Sequence, residues 1–580
     1  MKYMVTGAED AHKSEGVTSL SMKGWTGKLC RNICEAWLMP MRRVNPAILG
    51  MFRDRDVKPY RDLLPWSGEF AGKHITGAYY VYKVTGDERL KREIEGFIEE
   101  MISCQDEDGY LGCFSRECRL TGAYSQTPDK AGDTWDSWNH YHIMYGLLLW
   151  HDLTGKVEYL SAAERIAALF MRKFYGEKPP LSSIGWCEMN LAVLHGFVLL
   201  YRVTGKDEYL RFAREAEADV SSAGAGDYIE NALAGRAFYE CPKPRWESLH
   251  VIMGILEMYA ATGEERDLYV ARQIVKSILK TDVHNTGAFS TDEQAVGDPY
   301  KKGNIETCCA VAFDALAIRL FRLTGDMELA EHLERAHFNA MLGAFSPTGA
   351  WSTYNTPMDG EKRANFDSIQ FQCRPGSPLL NCCSVNAPRG AAEVGEWMLT
   401  CRGDTLCVHM YEAFEAEAEG TKVACESGYP GPGIIRIRAR GSQKVKRLAL
   451  RIPMWSEKWA CRGNREYAVE DGYAVFPLGE GELTAELELD FGPRFMRGEG
   501  DCRGLTCVYA GPVLLGLDAS DNPGLELDRM EPIQKSEIEN ALPQADGERG
   551  IVWRAGRAAL RDFYHLGETG AQYRTWLRVE

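Results

Sequence analysis

Phe197-Val198-Leu199-Leu200-Tyr201-Arg202-Val203-Thr204-Gly205-Lys206-Asp207-Glu208-Tyr209-Leu210-Arg211-Phe212-Ala213 joins two apolar-periodic runs through a Thr-Gly-Lys break. Glycine suits the left-handed residue that ends a helix, and the polar residue after it opens the next one. The stretch therefore predicts a helical hairpin. The same tag recurs at Val84-Thr85-Gly86-Asp87, Leu153-Thr154-Gly155-Lys156, Ala261-Thr262-Gly263-Glu264 and Leu323-Thr324-Gly325-Asp326, with intervals of 50 to 69 residues. Five hairpins give ten helices. Two more are read at Cys30 to Met39 and at Ala391 to Thr400. Twelve helices in hairpins predict a closed double ring, an (α/α)6 barrel. A superhelical solenoid, the structural alternative, would keep a more regular repeat length.

Beyond residue 400 the period changes to two. Thr405-Leu406-Cys407-Val408-His409-Met410-Tyr411, Gly433 to Ala439 and Arg447 to Pro453 alternate, with Gly and Pro between them. That pattern predicts a β-sandwich. Thr506 to Leu517 supplies further strands, and the polar stretch Gly524 to Gly547 reads as a long loop. The expected division is a barrel over 1–400, a sandwich over 401–500 and a β-rich region, a second sandwich in one reading, over 501–580.

Length and composition bound the function. At 580 residues the chain exceeds one ordinary core. A net charge of −16, from 67 basic and 83 acidic residues without a sustained basic run, argues against nucleic acid or an anionic membrane as partner. Met1 to Gly16 lacks the apolar core of a secretory signal, and no segment has transmembrane length. Eighteen cysteines in such a chain read as reduced thiols, so the expected location is the cytoplasm. The 14 Trp, 26 Tyr and 21 Phe suit a sugar-binding cleft as well as they suit a large core.

Two fragments carry the chemistry: Asn304-Ile305-Glu306-Thr307-Cys308-Cys309 and Asn381-Cys382-Cys383-Ser384-Val385-Asn386. Together they offer a carboxylate and three or four thiols, enough to close a tetrahedral zinc site. Both are read as loops just before helices, and a helix N-terminus favours thiolate and carboxylate. A zinc-bound sulfur is deprotonated near neutral pH and can serve as a nucleophile.

A helical barrel followed by a sandwich, with Glu306-Thr307-Cys308 in one loop and Asn381-Cys382-Cys383, then Asn386 and Arg389, in another, resembles the β-L-arabinofuranosidases of glycoside hydrolase family 127. Tyr429-Pro430 and Leu450-Arg451-Ile452-Pro453-Met454-Trp455-Ser456 resemble the sandwich of that family. The resemblance implies that Glu306, Cys308, Cys382 and Cys383 bind Zn2+ and that Cys382 is the nucleophile. The implied activity is exo-acting release of a terminal furanose, β-L-arabinofuranose by default, with retention through a thioglycoside on Cys382. The expected partner is an oligosaccharide or glycoside substrate, and pairing of sandwich domains into a homodimer is compatible with the resemblance.

The chain departs from the family at the acid/base. A Gly-Glu-x-Phe motif belongs 16 residues before the zinc glutamate, an interval that ends here at Ser290, and Ala288 stands where a glutamate is sought in Gly287-Ala288-Phe289-Ser290-Thr291-Asp292-Glu293-Gln294. Glu293 is the nearest carboxylate and Glu188 the reserve. Tyr354, in an aromatic-Asn-Pro-like segment, and His142 resemble substrate contacts of the family, and His250 opens an inner helix in the same way. Two other readings stay open: a helical-barrel lyase, epimerase or carboxylate-only glycosidase with incidental cysteines, and a zinc-stabilised carbohydrate-binding protein without catalysis.

Overall fold

Every tag glycine adopts the left-handed conformation expected of a helix end: φ is 64° at Gly86, 70° at Gly155, Gly205 and Gly325, and 77° at Gly263. Asp87 and Asp326 then cap the following helices by accepting a hydrogen bond from the backbone N–H two residues on. The computed structural model describes residues 1–580 except 62, 122–133, 223, 365–379, 442–443 and 530. Among the described residues, twelve barrel helices follow in chain order: α1 (Trp25–Ile33), α2 (Glu69–Thr85), α3 (Glu88–Ser103), α4 (Asp136–Thr154), α5 (Val157–Lys173), α6 (Val193–Thr204), α7 (Asp207–Val220), α8 (Ser248–Thr262), α9 (Glu265–Thr281), α10 (Thr307–Thr324), α11 (Met327–Ala336) and α12 (Cys382–Ala392). Each even-numbered helix packs on the next, and α12 returns to α2, closing an inner ring. The inner helices are buried almost all round, as Asp136 to Trp150 of α4 shows, whereas α3 buries only Leu90, Ile94, Phe97, Ile98 and Met101.

The tags lie where inner helices end, so the loops that start the inner helices gather at the opposite end. At the tag end, residues 4–12 satisfy carbonyls of the last helical turns: Met4 N–H donates to Arg202 O, Gly7 N–H to Ala260 O and His12 N–H to Arg322 O.

Two helix boundaries differ from expectation. The first helix starts earlier, at Trp25, and continues through a π-helical turn over Cys34–Leu38. The last inner helix is Cys382–Ala392, so the helix expected over Ala391 to Thr400 is instead its last two residues, a 3-10 turn over Glu393–Glu396 and the start of the strand Leu399–Arg402. Ser384, Asn386 and Pro388 are poor helix formers, but a capping box started by Asn381 and close packing on α2 override them. Gly77 of α2 makes room for that proline: a Cβ there would stand 3.1 Å from Pro388 Cβ.

After the barrel come a six-stranded sheet and a five-stranded sheet. The first includes the early strand Val17–Met22, paired with Phe414–Ala418, so the N-terminal segment joins the β region. The alternation of Ile435–Arg440, buried at Ile435, Ile437 and Ala439, is that of a strand with one face in the core. Arg451 fastens this region to the barrel. It is fully buried and bonded to Glu334 (2.5 Å) and Glu331 (2.7 Å) of α11, and Trp455 Nε1 also donates to Glu334 (2.8 Å). A seven-stranded sheet over Pro493–Arg497 to Tyr573–Arg574 completes the chain. The polar stretch 524–547 contains a short helix, Lys535–Glu539, and an edge strand, Pro543–Ala545, where a loop was expected.

Candidate active site and metal centre

Glu306 is the N-cap residue of α10 and Cys308 lies in its first turn; Cys382 and Cys383 open α12. The two cysteine fragments are therefore helix starts rather than the preceding loops, and the free N–H groups there favour anions. A strand-like segment runs beside them. Thr307 N–H donates to Tyr354 O (2.8 Å) and Thr356 N–H to Ile305 O (2.9 Å), which sets Tyr354 against the cysteines. Asn381 Oδ1 accepts from Ser384 N–H (2.9 Å), fixing the start of α12.

The ligand atoms of Glu306, Cys308, Cys382 and Cys383 lie within 4.8 Å of one another, and all four residues are buried. Cys383 Sγ stands 3.5 Å from Cys308 Sγ, 4.0 Å from Cys382 Sγ and 3.3 Å from Glu306 Oε1, which is itself 3.8 Å from Cys382 Sγ. A tetrahedral ion with bonds of about 2.3 Å to sulfur and about 2.0 Å to oxygen separates its ligand atoms by about 3.5–3.8 Å. The group thus has the size, burial and soft donor set of a structural or catalytic metal site. Cys309 points its sulfur at the other oxygen of Glu306, 3.7 Å away.

Electrostatics favours a thiolate on Cys308, while the Cys382 thiol, chiefly through its hydrogen bond with Cys308, and the Cys383 thiol, chiefly through burial, are pushed well above the usual range. Burial pushes the Cys308 thiol up, but hydrogen bonds with Cys382 and Cys383, the Lys73 charge and Asn386 outweigh it and bring it well below the usual thiol range. Burial, then the charges of Cys308, Glu293 and Glu247, hold the Glu306 carboxyl well above its ordinary value. A cation placed among these groups would relieve both tensions.

Glu293 sits in a tight turn closed by paired bonds between Thr291 and Gln294 (3.2 and 3.0 Å). Asp292 and Glu293 both have positive φ, 47° and 66°, a conformation L-residues rarely hold without external support. That support comes from two sides. Asp292 Oδ1 accepts from Asn304 Nδ2 (3.0 Å), two residues before Glu306, and Arg245 donates to Glu293 Oε2 (2.7 Å). Arg245 also clasps Glu247 (2.7 and 3.1 Å), whose carboxyl burial raises to about 7 despite the arginine.

The other residues named from the sequence divide into two groups. Tyr354 OH lies 3.7 Å from Cys382 Sγ. His142 and His250 are neighbours, ring centroids 5.3 Å apart, both packed edge-on to Trp138. Burial holds both imidazoles neutral, and each keeps a buried Nε2 with no hydrogen-bond partner among the described residues. Glu188 is different: its carboxylate is engaged by Lys243 at 2.9 Å.

Several residues at the site escaped the sequence reading. Lys73 Nζ, on α2, stands 3.8 Å from Cys308 Sγ and 2.9 Å from Glu69 Oε2, with the rings of Trp138 and Trp246 at 5.6 and 5.3 Å. Burial lifts the Glu69 carboxyl to about 7, against the pull of Lys73. Glu69 also accepts from Trp138 Nε1 and lies 3.8 Å from His142 Nε2. Gly72 permits this assembly, because a Cβ there would come within 2.4 Å of the His142 carbonyl carbon. A Glu-x-x-x-Lys pair in an otherwise apolar run was the signal available.

The sequence profile of the family described as β-L-arabinofuranosidase, GH127 catalytic domain matches residues 36–396. Among solved structures, the chain is similar to a GH127 β-arabinofuranosidase at 20% identity, covering 100% of this chain and 98% of that one with a TM-score of 0.78. It is also similar to the GH127 β-L-arabinofuranosidase Ara127N of Geobacillus stearothermophilus T6, at 17% identity over 97% and 100% of the two chains, TM-score 0.76. A third structure, described as a glycoside hydrolase, shares 18% identity over 100% of both chains, TM-score 0.73. No curated protein sequence matches. The likeness extends over barrel and β regions together.

Proposed function

The chain belongs to glycoside hydrolase family 127, and on that premise we propose that it is a retaining, exo-acting enzyme releasing a terminal furanose, β-L-arabinofuranose by default, with Cys382 as nucleophile. The observation that carries this reading is the buried cluster of one carboxylate and three thiols at two helix starts. Glu306, Cys308, Cys382 and Cys383 would hold the metal, and their three-sulfur, one-oxygen set suits zinc. When bound, zinc would keep the coordinated sulfurs deprotonated at neutral pH.

The chain's own groups then divide the work. The Cys382 sulfur attacks the anomeric carbon, forming a C–S bond as the C–O bond to the leaving group breaks. Glu293 gives its proton to the departing oxygen. In the second step Glu293 takes a proton from water, whose oxygen attacks the same carbon and expels the sulfur. Two displacements return the original configuration. The Nε2 atoms of His142 and His250, buried with no hydrogen-bond partner among the described residues, would bind sugar hydroxyls, since such atoms call for a ligand, and the Tyr354 hydroxyl, beside Cys382, would add a further contact.

The test is proton NMR of the first product from a nitrophenyl β-L-arabinofuranoside. Initial accumulation of the β-anomer, followed by mutarotation, is expected. An α-anomer formed first would overturn the double displacement, and no turnover of any furanoside would overturn the substrate class.

A further inference from the structure

Lys73 has no part in the reaction just described, yet its side chain is only 1% exposed and its ammonium meets the sulfur cluster. A buried cation persists only where it is paired, and the partners here are Glu69, the Cys308 sulfur and two indole faces. Three thiolates and a carboxylate carry four negative charges. A divalent ion leaves two of them uncompensated in a site shielded from water. Among the described residues, Lys73 is the cationic side chain hydrogen-bonded to one of these sulfurs.

The hydrogen bonds are also unequally shared. Cys308 Sγ faces two nitrogen donors, Lys73 Nζ at 3.8 Å and Asn386 Nδ2 at 3.5 Å. Cys382 Sγ faces the Tyr354 hydroxyl at 3.7 Å. An N–H donor draws electron density from a thiolate and lowers its nucleophilicity, and an ammonium does so more strongly than an amide.

Resting on the metal reading above, we propose that Lys73 is a positioning residue that neutralises the metal–thiolate centre through Cys308, keeping that sulfur a ligand and leaving Cys382 the reactive one. The faces of Trp138 and Trp246 hold the ammonium in place. Glu69 competes for it, so removing the Glu69 charge should strengthen the Lys73–Cys308 contact.

The test uses the full-length chain, with zinc affinity read by chelator competition and thiol reactivity read by iodoacetamide alkylation mapped to each cysteine by mass spectrometry. Lys73→Met is expected to weaken zinc binding about 10- to 100-fold, and to bring Cys308 into the alkylated set beside Cys382. Lys73→Arg should retain affinity and pattern. Glu69→Gln should bind zinc more tightly than the wild type, and it decides the matter if Lys73→Met does not fold: unchanged or weaker binding in Glu69→Gln then overturns the proposal. Wild-type affinity and alkylation pattern in a folded Lys73→Met overturn it too, with the metal centre intact. A wild-type protein that binds no zinc overturns the metal reading itself.

Discussion

Cys382→Ala is expected to lower kcat toward a β-L-arabinofuranoside by about 10⁴- to 10⁶-fold, the scale of losing a nucleophile that acts as one unit with its surroundings. Its sulfur lies 3.8 Å from Glu306 Oε1 and 4.0 Å from Cys383 Sγ, so the proposed nucleophile is also placed to be a ligand. Cys382→Ser separates the two roles. It keeps a donor atom of similar placement but one that is a far poorer nucleophile, so zinc should remain in part while turnover falls nearly as far as in the alanine variant. Steady-state kinetics beside metal content checks this. Activity retained in Cys382→Ala would identify a carboxylate-only enzyme on the same fold.

Glu293→Gln is expected to reduce kcat by about 10²- to 10⁴-fold, the usual contribution of a general acid/base. The loss should be smallest for substrates with a good leaving group, because a nitrophenolate departs without protonation. Azide should restore turnover of such substrates as a glycosyl azide, since azide attacks without a base to deprotonate it. Product analysis after azide addition checks the point. If Glu293→Gln leaves the rate unchanged, the acid/base lies elsewhere, and Glu247, clasped by the same Arg245, is the next carboxylate to replace.

The barrel was legible because its punctuation is local. A glycine that must adopt positive φ, as Gly205 does at 70°, announces a helix end whatever surrounds it. The cluster of one carboxylate and three thiols was legible for a related reason: Glu306-x-Cys308 and Cys382-Cys383 place possible donors within single helical turns, so only the meeting of two turns had to be supplied by the fold. The start of α12 was not legible, because Ser384, Asn386 and Pro388 outweigh local helix preference until α2 packs against them. Lys73 was hidden more deeply. Its partners Cys308, Trp138 and Trp246 lie 65 or more residues away on or beside other inner helices, and only the assembly of the inner ring brings them together. Glu293 was found as the nearest carboxylate, but the strained turn that presents it, tied to Asn304 and Arg245, has no sequence signature. The strand Val17–Met22 was missed because its pairing partner, Phe414–Ala418, lies on the far side of the barrel sequence.

The most direct measurement is zinc content per chain by elemental mass spectrometry, on protein purified anaerobically in reductant, beside Cys308→Ser and Cys383→Ser. About one zinc per wild-type chain, reduced in both variants, is expected of a Glu306, Cys308, Cys382, Cys383 centre. A wild-type protein with no stoichiometric metal, or variants that keep a full complement, would contradict a metal-held thiolate at the heart of this enzyme.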